Sequence, residues 1–209
     1  MGLLLFDFDG VLADTLGDML RFAQEVSDEL GVSHTVVQSD LSELEVMSFA
    51  TFGKACGMSE ELVDEFVRRC TQKVAQKQSP PARFIGLGDV LRKLAEVHVL
   101  AVVTGNTQGN VWAFLKEHAL EGCVRAVYGV DMPGSKVEKI LMAKSQFAAD
   151  GDPVFMVGDS LSDIRAARQA GVKSIAVSWG HQSVGKLLEA MPDYVVHVPE
   201  KLIEVTKGR

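Results

Sequence analysis

Two aspartates two positions apart, Asp7 and Asp9, directly follow a run of four apolar residues near the start of the chain. A buried strand places alternate side chains on one face, so both carboxylates point in the same direction. Two like charges in such a position are costly unless a cation or a reaction requires them. The pair therefore predicts a functional site, and Gly10 beside it allows the chain to turn away.

Further polar residues follow later apolar runs, in the segments Val-Val-Thr-Gly-Asn, Gly-Ser-Lys-Val-Glu-Lys and Gly-Asp-Ser-Leu-Ser-Asp. The polar groups in these segments come from Thr104, Gly105, Asn106, Lys136, Asp159 and Asp163. Carboxylates suit a hard cation such as Mg²⁺, whereas a hydroxyl, backbone N–H groups and an ammonium suit phosphoryl oxygens. With a metal neutralising charge, one aspartate of the first pair can attack phosphorus and the other can move protons.

Short β-rich runs that alternate with amphipathic helical patterns would position these residues. After the first run, β-rich segments cover residues 97–104, 123–130, 154–157, 174–178 and 194–198. Helical spacing of apolar residues covers 87–95, 137–147 and 161–171. The alternation predicts an α/β fold with a doubly wound, Rossmann-like parallel sheet. Parallel strands bring their carboxyl ends, and the polar residues after them, to one edge.

The alternation stops between Asp14 and Pro80, where three helix-like segments lie near residues 15–30, 40–53 and 60–78. The dipeptide Pro80-Pro81 ends the third segment and forces an extended return of the chain. We predict that residues 14–81 form an inserted all-α cap above the carboxyl edge of the sheet. Residues 1–13 and 82–209 would then form the α/β catalytic core.

Composition narrows the classes of function. Hydrophobic residues make up 47% and charged residues 23% of the chain, and the net charge is −7. An acidic protein is a poor candidate for broad binding of nucleic acid or anionic membranes. No apolar run approaches the ~20 residues that span a bilayer. The three cysteines form no CxxC pair, which predicts small apolar residues in a reducing compartment and a cytoplasmic protein.

The four polar segments resemble, in order, the motifs of haloacid dehalogenase (HAD) superfamily phosphatases: residues 7–15, Thr104, Lys136 and residues 158–163. The resemblance implies that Asp7 is a nucleophile that forms an aspartyl-phosphate and that Asp9 is the general acid/base. It also implies a Mg²⁺ ion held by the Asp7 carboxylate, the Asp9 backbone carbonyl and Asp159, with Asp163 in support. Thr104, Gly105, Asn106 and Lys136 would bind the phosphoryl group. Haloacid dehalogenases proper lack the second acid, so Asp9 favours phosphate esters as substrates.

Two features of the chain resemble the phosphoglycolate phosphatase-like members of this superfamily. One is the tail at residues 176–181 and 192–196; the other is the size and position of the helical insert. They imply a small phosphorylated metabolite as substrate. Lys54, next to Gly53, resembles the place where helical caps present a substrate-reading loop, although a solvated lysine also fits this position.

Several alternatives stay open at the level of sequence. A sugar phosphomutase of the same superfamily would return the phosphoryl group to a second hydroxyl of the substrate. A phospho-accepting regulatory domain also clusters Asp, Thr and Lys at the end of a sheet, although the insert and the last motif argue against it. Thr104 could satisfy a turn, Lys136 could begin a helix on its solvent face, and Asp163 could interact with a helix dipole.

Overall fold

The computed structural model describes residues 1–77 and 79–207 of the chain. Strands and helices alternate through most of this length. In chain order they are β1 (Gly2–Phe6), β2 (Ala13–Asp14), α1 (Leu16–Glu29), α2 (Gln38–Ser42), α3 (Phe49–Ala55), α4 (Glu60–Ala75), β3 (Ala82–Arg83), α5 (Leu87–Ala95), β4 (His98–Val103), α6 (Gln108–Glu117), β5 (Ala126–Tyr128), α7 (Lys136–Phe147), β6 (Val154–Gly158), α8 (Leu161–Gln169), β7 (Lys173–Val177), α9 (Val184–Glu189), β8 (Tyr194–Val196) and α10 (Lys201–Thr206).

The main sheet has six strands in the order β5-β4-β1-β6-β7-β8, and every neighbouring pair is parallel. The chain starts in the middle, adds β4 and β5 on one side, and then returns to add the remaining strands on the other. The order reverses between β1 and β6, which is where open α/β sheets bind ligands. The prediction of a doubly wound α/β sheet is confirmed.

The central strand β1 is buried on both faces, as expected for a strand with helices on either side. Leu4 and Phe6 belong to one hydrophobic cluster, together with Leu91 of α5. Leu3 and Leu5 point to the other face and belong to a second cluster, which includes residues of α7 and α8. The apolar run thus anchors β1 in two cores, and its carboxyl end is held rigidly.

The helices α1–α4 form the insert between β2 and β3, and they enclose a hydrophobic cluster of their own. Phe52 of α3 and Phe66 of α4 meet edge to face, with ring centroids 6.4 Å apart. Lys73 of α4 contacts Glu25 of α1 at 2.9 Å. The predicted helical cap is confirmed, whereas the residues at which it begins and ends stay a prediction.

The chain enters and leaves this insert through a small antiparallel pair of strands. Ala13 of β2 is paired with Arg83 of β3, and Asp14 is paired with Ala82. The two connections between cap and core are therefore hydrogen-bonded to each other rather than independent.

The helix predicted over residues 40–53 is wrong as a single element. Helix α2 ends at Ser42, and α3 begins at Phe49. Ser48 separates them because its side chain caps α3, accepting a hydrogen bond from Thr51 N at 3.2 Å.

Other differences concern short elements. The strand predicted over residues 123–130 covers only Ala126–Tyr128. The sequence prediction missed three helices. In α6 the second and third residues, a glycine and an asparagine, weaken the helical signal, and α9 and α10 have only six residues each. The helix predicted to reach residue 78 ends at Ala75. Gln78 lies outside the described residues, as do residues 208 and 209 of the predicted core.

Candidate active site

Asp7 lies at the carboxyl end of β1, where its backbone N–H still donates to Val157 O of β6 at 2.9 Å. One carboxylate oxygen, Oδ1, accepts a hydrogen bond from Phe8 N at 2.8 Å. The other, Oδ2, lies 3.2 Å from Lys136 Nζ. Burial raises the pKa of Asp7 to about 7, opposed by the Lys136 ammonium and reinforced by the neighbouring carboxylates of Asp163 and Asp9.

Two further carboxylates, Asp159 and Asp163, follow β6, the neighbour of β1. Each of them and Asp7 offers an oxygen, and these oxygens all lie within 4.8 Å of one another. Burial, together with the charges of Asp163 and Asp7, raises the pKa of Asp159 well above its ordinary value. Three carboxylate oxygens this close together are hard ligands of the kind that fit a divalent cation such as Mg²⁺.

Several residues next to these acids are glycines, because a side chain at those positions would collide with the carboxylates. A Cβ atom on Gly180 would lie 2.4 Å from Asp159 Oδ2, and one on Gly10 would lie 1.9 Å from the same oxygen. Gly10 also has a φ of +75°, in the left-handed region that favours glycine. A Cβ on Gly158 would lie 2.2 Å from Asp163 Cβ. The backbone thus approaches the acids closely from several sides.

Lys136 connects two of the carboxylates. It is the first residue of α7, which begins with a capping box formed by Ser135 and Glu138. Its ammonium donates to Asp163 Oδ1 at 2.6 Å as well as contacting Asp7. Burial alone would lower the pKa of Lys136, but the two carboxylates outweigh it and raise that pKa. Lys136 is therefore a charged group inside the site, and the alternative that it lies on the solvent face of a helix is wrong.

Asp163 has two structural partners. Its side chain is fully buried and, besides pairing with Lys136, it accepts hydrogen bonds from Ser160 N at 3.1 Å and Ser160 Oγ at 2.6 Å, which closes the N-terminal turn of α8. The helix-start role and the contact with the site thus occur together.

Asp9 and Asp7 both line the cavity that lies between the sheet edge and the cap. Phe8 points the other way and packs edge to face on Phe114, with centroids 5.0 Å apart. Asp9 Oδ2 accepts a hydrogen bond from Asn106 Nδ2 at 3.1 Å. Thr104, buried at the end of β4, accepts from Asn106 N at 3.0 Å through its hydroxyl. Asn106 thereby connects the Asp9 carboxylate to the threonine.

His181 is a site residue that the sequence pattern only marks weakly, through its place after a strand end. It is buried, and its backbone N–H donates to Asp159 Oδ2 at 2.7 Å. Its ring lies between core and cap, with Nδ1 3.3 Å from the same oxygen and Nε2 3.1 Å from Thr15 Oγ1. Burial lowers the pKa of His181, although nearby carboxylates, Asp9 first among them, oppose this.

A cavity of about 760 Å³ lies between the sheet edge and the cap, and it contains these groups. Its lining includes Asp7, Asp9, Thr104, Gly105, Asn106, Lys136 and Asp159 from the core. From the cap it includes Thr15, Asp18, Met19, Phe22, Met47, Ser48, Phe49, Thr71, Val74, Ala75 and Lys77.

Lys54 has a different position from the one expected. Its side chain is half exposed and pairs with Glu60 at 2.7 Å, and it is absent from the cavity lining among the described residues. The structure thus favours the solvated lysine over the substrate-reading one. The cap residues that do face the site lie on α1, α4 and the start of α3 or directly beside these helices, and no short motif identifies them.

No helix within residues 1–77 and 79–207 is both long enough and apolar enough to cross a bilayer.

Comparison with known proteins places this arrangement in a family. The model of the haloacid dehalogenase-like hydrolases matches residues 4–177. The phosphoglycolate phosphatase of Synechococcus elongatus is 27% identical over 98% of this chain and 96% of its own length. That of Caulobacter vibrioides is 31% identical over 84% of this chain and 78% of its own.

Solved structures give the same fold. A haloacid dehalogenase-like family hydrolase from Streptococcus pneumoniae superposes with a TM-score of 0.85 at 21% identity, covering 99% of both chains. The chain therefore belongs to the haloacid dehalogenase-like hydrolase family and is a phosphatase that resembles the phosphoglycolate phosphatases.

Proposed function

We propose that the protein is a Mg²⁺-dependent phosphomonoester hydrolase that works through an aspartyl-phosphate on Asp7. The observation that carries the proposal is the surroundings of this carboxylate. It lies at the topological switch point, 3.2 Å from the Lys136 ammonium and within 4.8 Å of oxygens of Asp159 and Asp163. Asp9 faces the same cavity.

The carboxylates of Asp7, Asp159 and Asp163 fit a divalent cation, with the Asp9 backbone carbonyl proposed as a further ligand. When bound, the metal would offset the negative charge that otherwise repels a phosphate ester from these acids. Lys136, Thr104 and the backbone N–H groups of Gly105 and Asn106 are proposed to hold the phosphoryl oxygens.

In the first step, a carboxylate oxygen of Asp7 attacks phosphorus, and the bond from phosphorus to the ester oxygen breaks. Asp9 gives its proton to the departing alkoxide, so that the alcohol leaves neutral. In the second step, Asp9 takes a proton from water as the water oxygen attacks the phosphorus of the aspartyl-phosphate. Inorganic phosphate leaves, and both aspartates return to their starting forms.

The hydrogen bond from Asn106 Nδ2 at 3.1 Å supports this division of roles. It holds Asp9 at one position above the end of β1, while Asp7 has its own partners, Phe8 N and Lys136 Nζ. Two carboxylates with different surroundings can take different parts in proton transfer and attack.

We further propose that residues 14–81 act as a mobile cap that closes over bound substrate and excludes bulk water. Relatives named phosphoglycolate phosphatase make phosphoglycolate the first ester to test. The free cysteines agree with a reducing, cytoplasmic location.

The direct test measures phosphate release from a panel of phosphorylated metabolites with Mg²⁺ and with a chelator. The wild-type protein should turn over at least one ester, only with the metal, and Asp7→Asn should abolish this turnover. Asp89→Asn is a matched control, because it removes an exposed carboxylate that pairs with Arg92 on the surface. Substantial activity of the Asp7→Asn protein would refute the mechanism.

Two further readouts separate the alternatives. Acid quenching during turnover should trap one phosphoryl group on the peptide that contains Asp7, as the covalent step requires. An isomerised product without free phosphate would instead establish the phosphomutase alternative.

A further inference from the structure

The cavity above Asp7 has apolar walls on both sides. Met19 and Phe22 of α1, Phe49 of α3 and Val74 of α4 line it from the cap. Val130, in the loop after β5, lines it from the core and has 57% of its surface exposed. A cavity with apolar side chains on both walls and a few polar groups at its base is the usual environment for a ligand that has an apolar part.

The cationic side chains that line the cavity are paired with carboxylates. Within residues 1–77 and 79–207, the lining includes two ammonium groups, those of Lys136 and Lys77. Lys136 is held by Asp7 and Asp163. Lys77 forms an ion pair with Asp18 of α1. Neither is free to receive a further carboxylate.

Asp18 keeps its charge at neutral pH. Burial would raise the pKa of this carboxyl, but hydrogen bonds from Lys77 and Arg21 outweigh burial and lower it. A ligand that carries its own carboxylate, such as phosphoglycolate, would therefore compete with Asp18 for Lys77. It would also meet the negative charges of the catalytic aspartates nearby.

From these observations we infer that the preferred substrates are phosphomonoesters whose leaving alcohol is uncharged and apolar. This inference rests on the proposed function and refines the class of substrate. The phosphoryl group would lie at Asp7, and the alkyl or arylalkyl part would lie against Met19, Phe49 and Val130. A cavity of about 760 Å³ can hold such a ligand.

The test compares kcat/KM for phosphoglycolate with that for ethyl, butyl and hexyl phosphate, all with Mg²⁺. Alkyl esters are chosen because the phenoxide of an aryl ester is a better leaving group, which would raise the rate independently of how the ester binds. Each added methylene should raise kcat/KM about fourfold, and kcat/KM for hexyl phosphate should exceed that for ethyl phosphate about 200-fold. The kcat/KM for hexyl phosphate should also exceed that for phosphoglycolate.

A preference for phosphoglycolate, or no dependence on chain length, would overturn this inference while leaving the hydrolase mechanism intact. Failure to hydrolyse any of the four esters or any metabolite of the wider panel would overturn the proposed function, and this inference with it.

Variants of the cap test the two physical reasons separately. Met19→Gln makes one wall polar at nearly constant volume and should flatten the dependence on chain length, whereas Met19→Leu should preserve that dependence. Asp18→Asn releases Lys77 and should raise kcat/KM for phosphoglycolate relative to hexyl phosphate about tenfold. Asp89→Asn removes the same charge away from the cavity and should leave this ratio unchanged. An unchanged ratio in Asp18→Asn and an unchanged slope in Met19→Gln would contradict the inference.

Discussion

Asp7→Asn should make the metal-free protein more stable while it abolishes catalysis. The pKa of Asp7 is about 7 in the fold, against an ordinary value of 3.8. Between these two values the folded state keeps a proton that the unfolded chain has lost. The free energy of unfolding therefore falls as the pH rises from about 4 to about 7, and it levels off above that.

The loss of unfolding free energy caused by ionisation of Asp7 follows from the difference of about three pKa units between the folded and unfolded states. This loss amounts to ~4 kcal/mol at pH 8 and ~2 kcal/mol at pH 5.5, and it nearly disappears at pH 4. An asparagine cannot ionise, so the variant should gain about these amounts over the wild type. Asp159 belongs to the same carboxylate cluster, and loss of a neighbouring charge eases its ionisation, which acts in the same direction.

The assay is equilibrium urea unfolding at several pH values in the presence of a chelator. Asp89→Asn should differ from the wild type by less than ~0.5 kcal/mol at every pH, because that residue lies at the surface. With Mg²⁺ at a hundred times its dissociation constant, the wild type should regain ~2.7 kcal/mol, and Asp7→Asn should regain much less. An Asp7→Asn protein that is less stable than the wild type at pH 8, or a gain independent of pH, would refute the reasoning.

Three further outcomes are expected. Lys136→Met leaves buried carboxylates without their cation and should lower the free energy of unfolding at pH 8 by ~3–5 kcal/mol in the metal-free protein; urea unfolding checks this, and an unchanged midpoint contradicts it. Gly180→Ala places a Cβ atom 2.4 Å from Asp159 Oδ2 and should weaken Mg²⁺ binding at least tenfold by calorimetry; wild-type affinity would contradict the close approach. Burial raises the pKa of the Cys56 and Cys70 thiols to about 12, so a thiol reagent at pH 8 should modify only the third cysteine of the native protein, and rapid modification of all three would contradict this.

The core of the fold could be predicted because its signals are local and strong. A run such as residues 3–6, apolar on both faces, has few alternatives to a central parallel strand. Once the strands are parallel, their carboxyl ends share an edge, so Asp7, Asp159 and Lys136 must approach one another although the sequence separates them widely. The structure brings these three together, while their chemical roles stay predictions.

The cap could be predicted as helical but not in detail. Ser48 caps α3 and so separates it from α2, although the apolar residues of both helices follow one helical periodicity. The spacing of apolar residues alone cannot predict such a break. The ion pair between Lys77 and Asp18 joins α1 to the end of the insert across 59 positions in the sequence, and no local spacing marks it. Lys54 is the opposite case: its place in the sequence resembles a motif, but its side chain points away from the site and pairs with Glu60.

The pairing of Ala13 with Arg83 and of Asp14 with Ala82 means that, in topological terms, the cap is the loop of a β-hairpin. The ends of that loop are adjacent whatever lies between them, and lengthening a loop costs only about 0.6 kcal/mol for each doubling of its length. Residues 15–81 can therefore lengthen, shorten or change their sequence without altering the order of the strands or the position of Asp7. The aspartates at the sheet edge and the cap residues that line the cavity can thus evolve as separate modules.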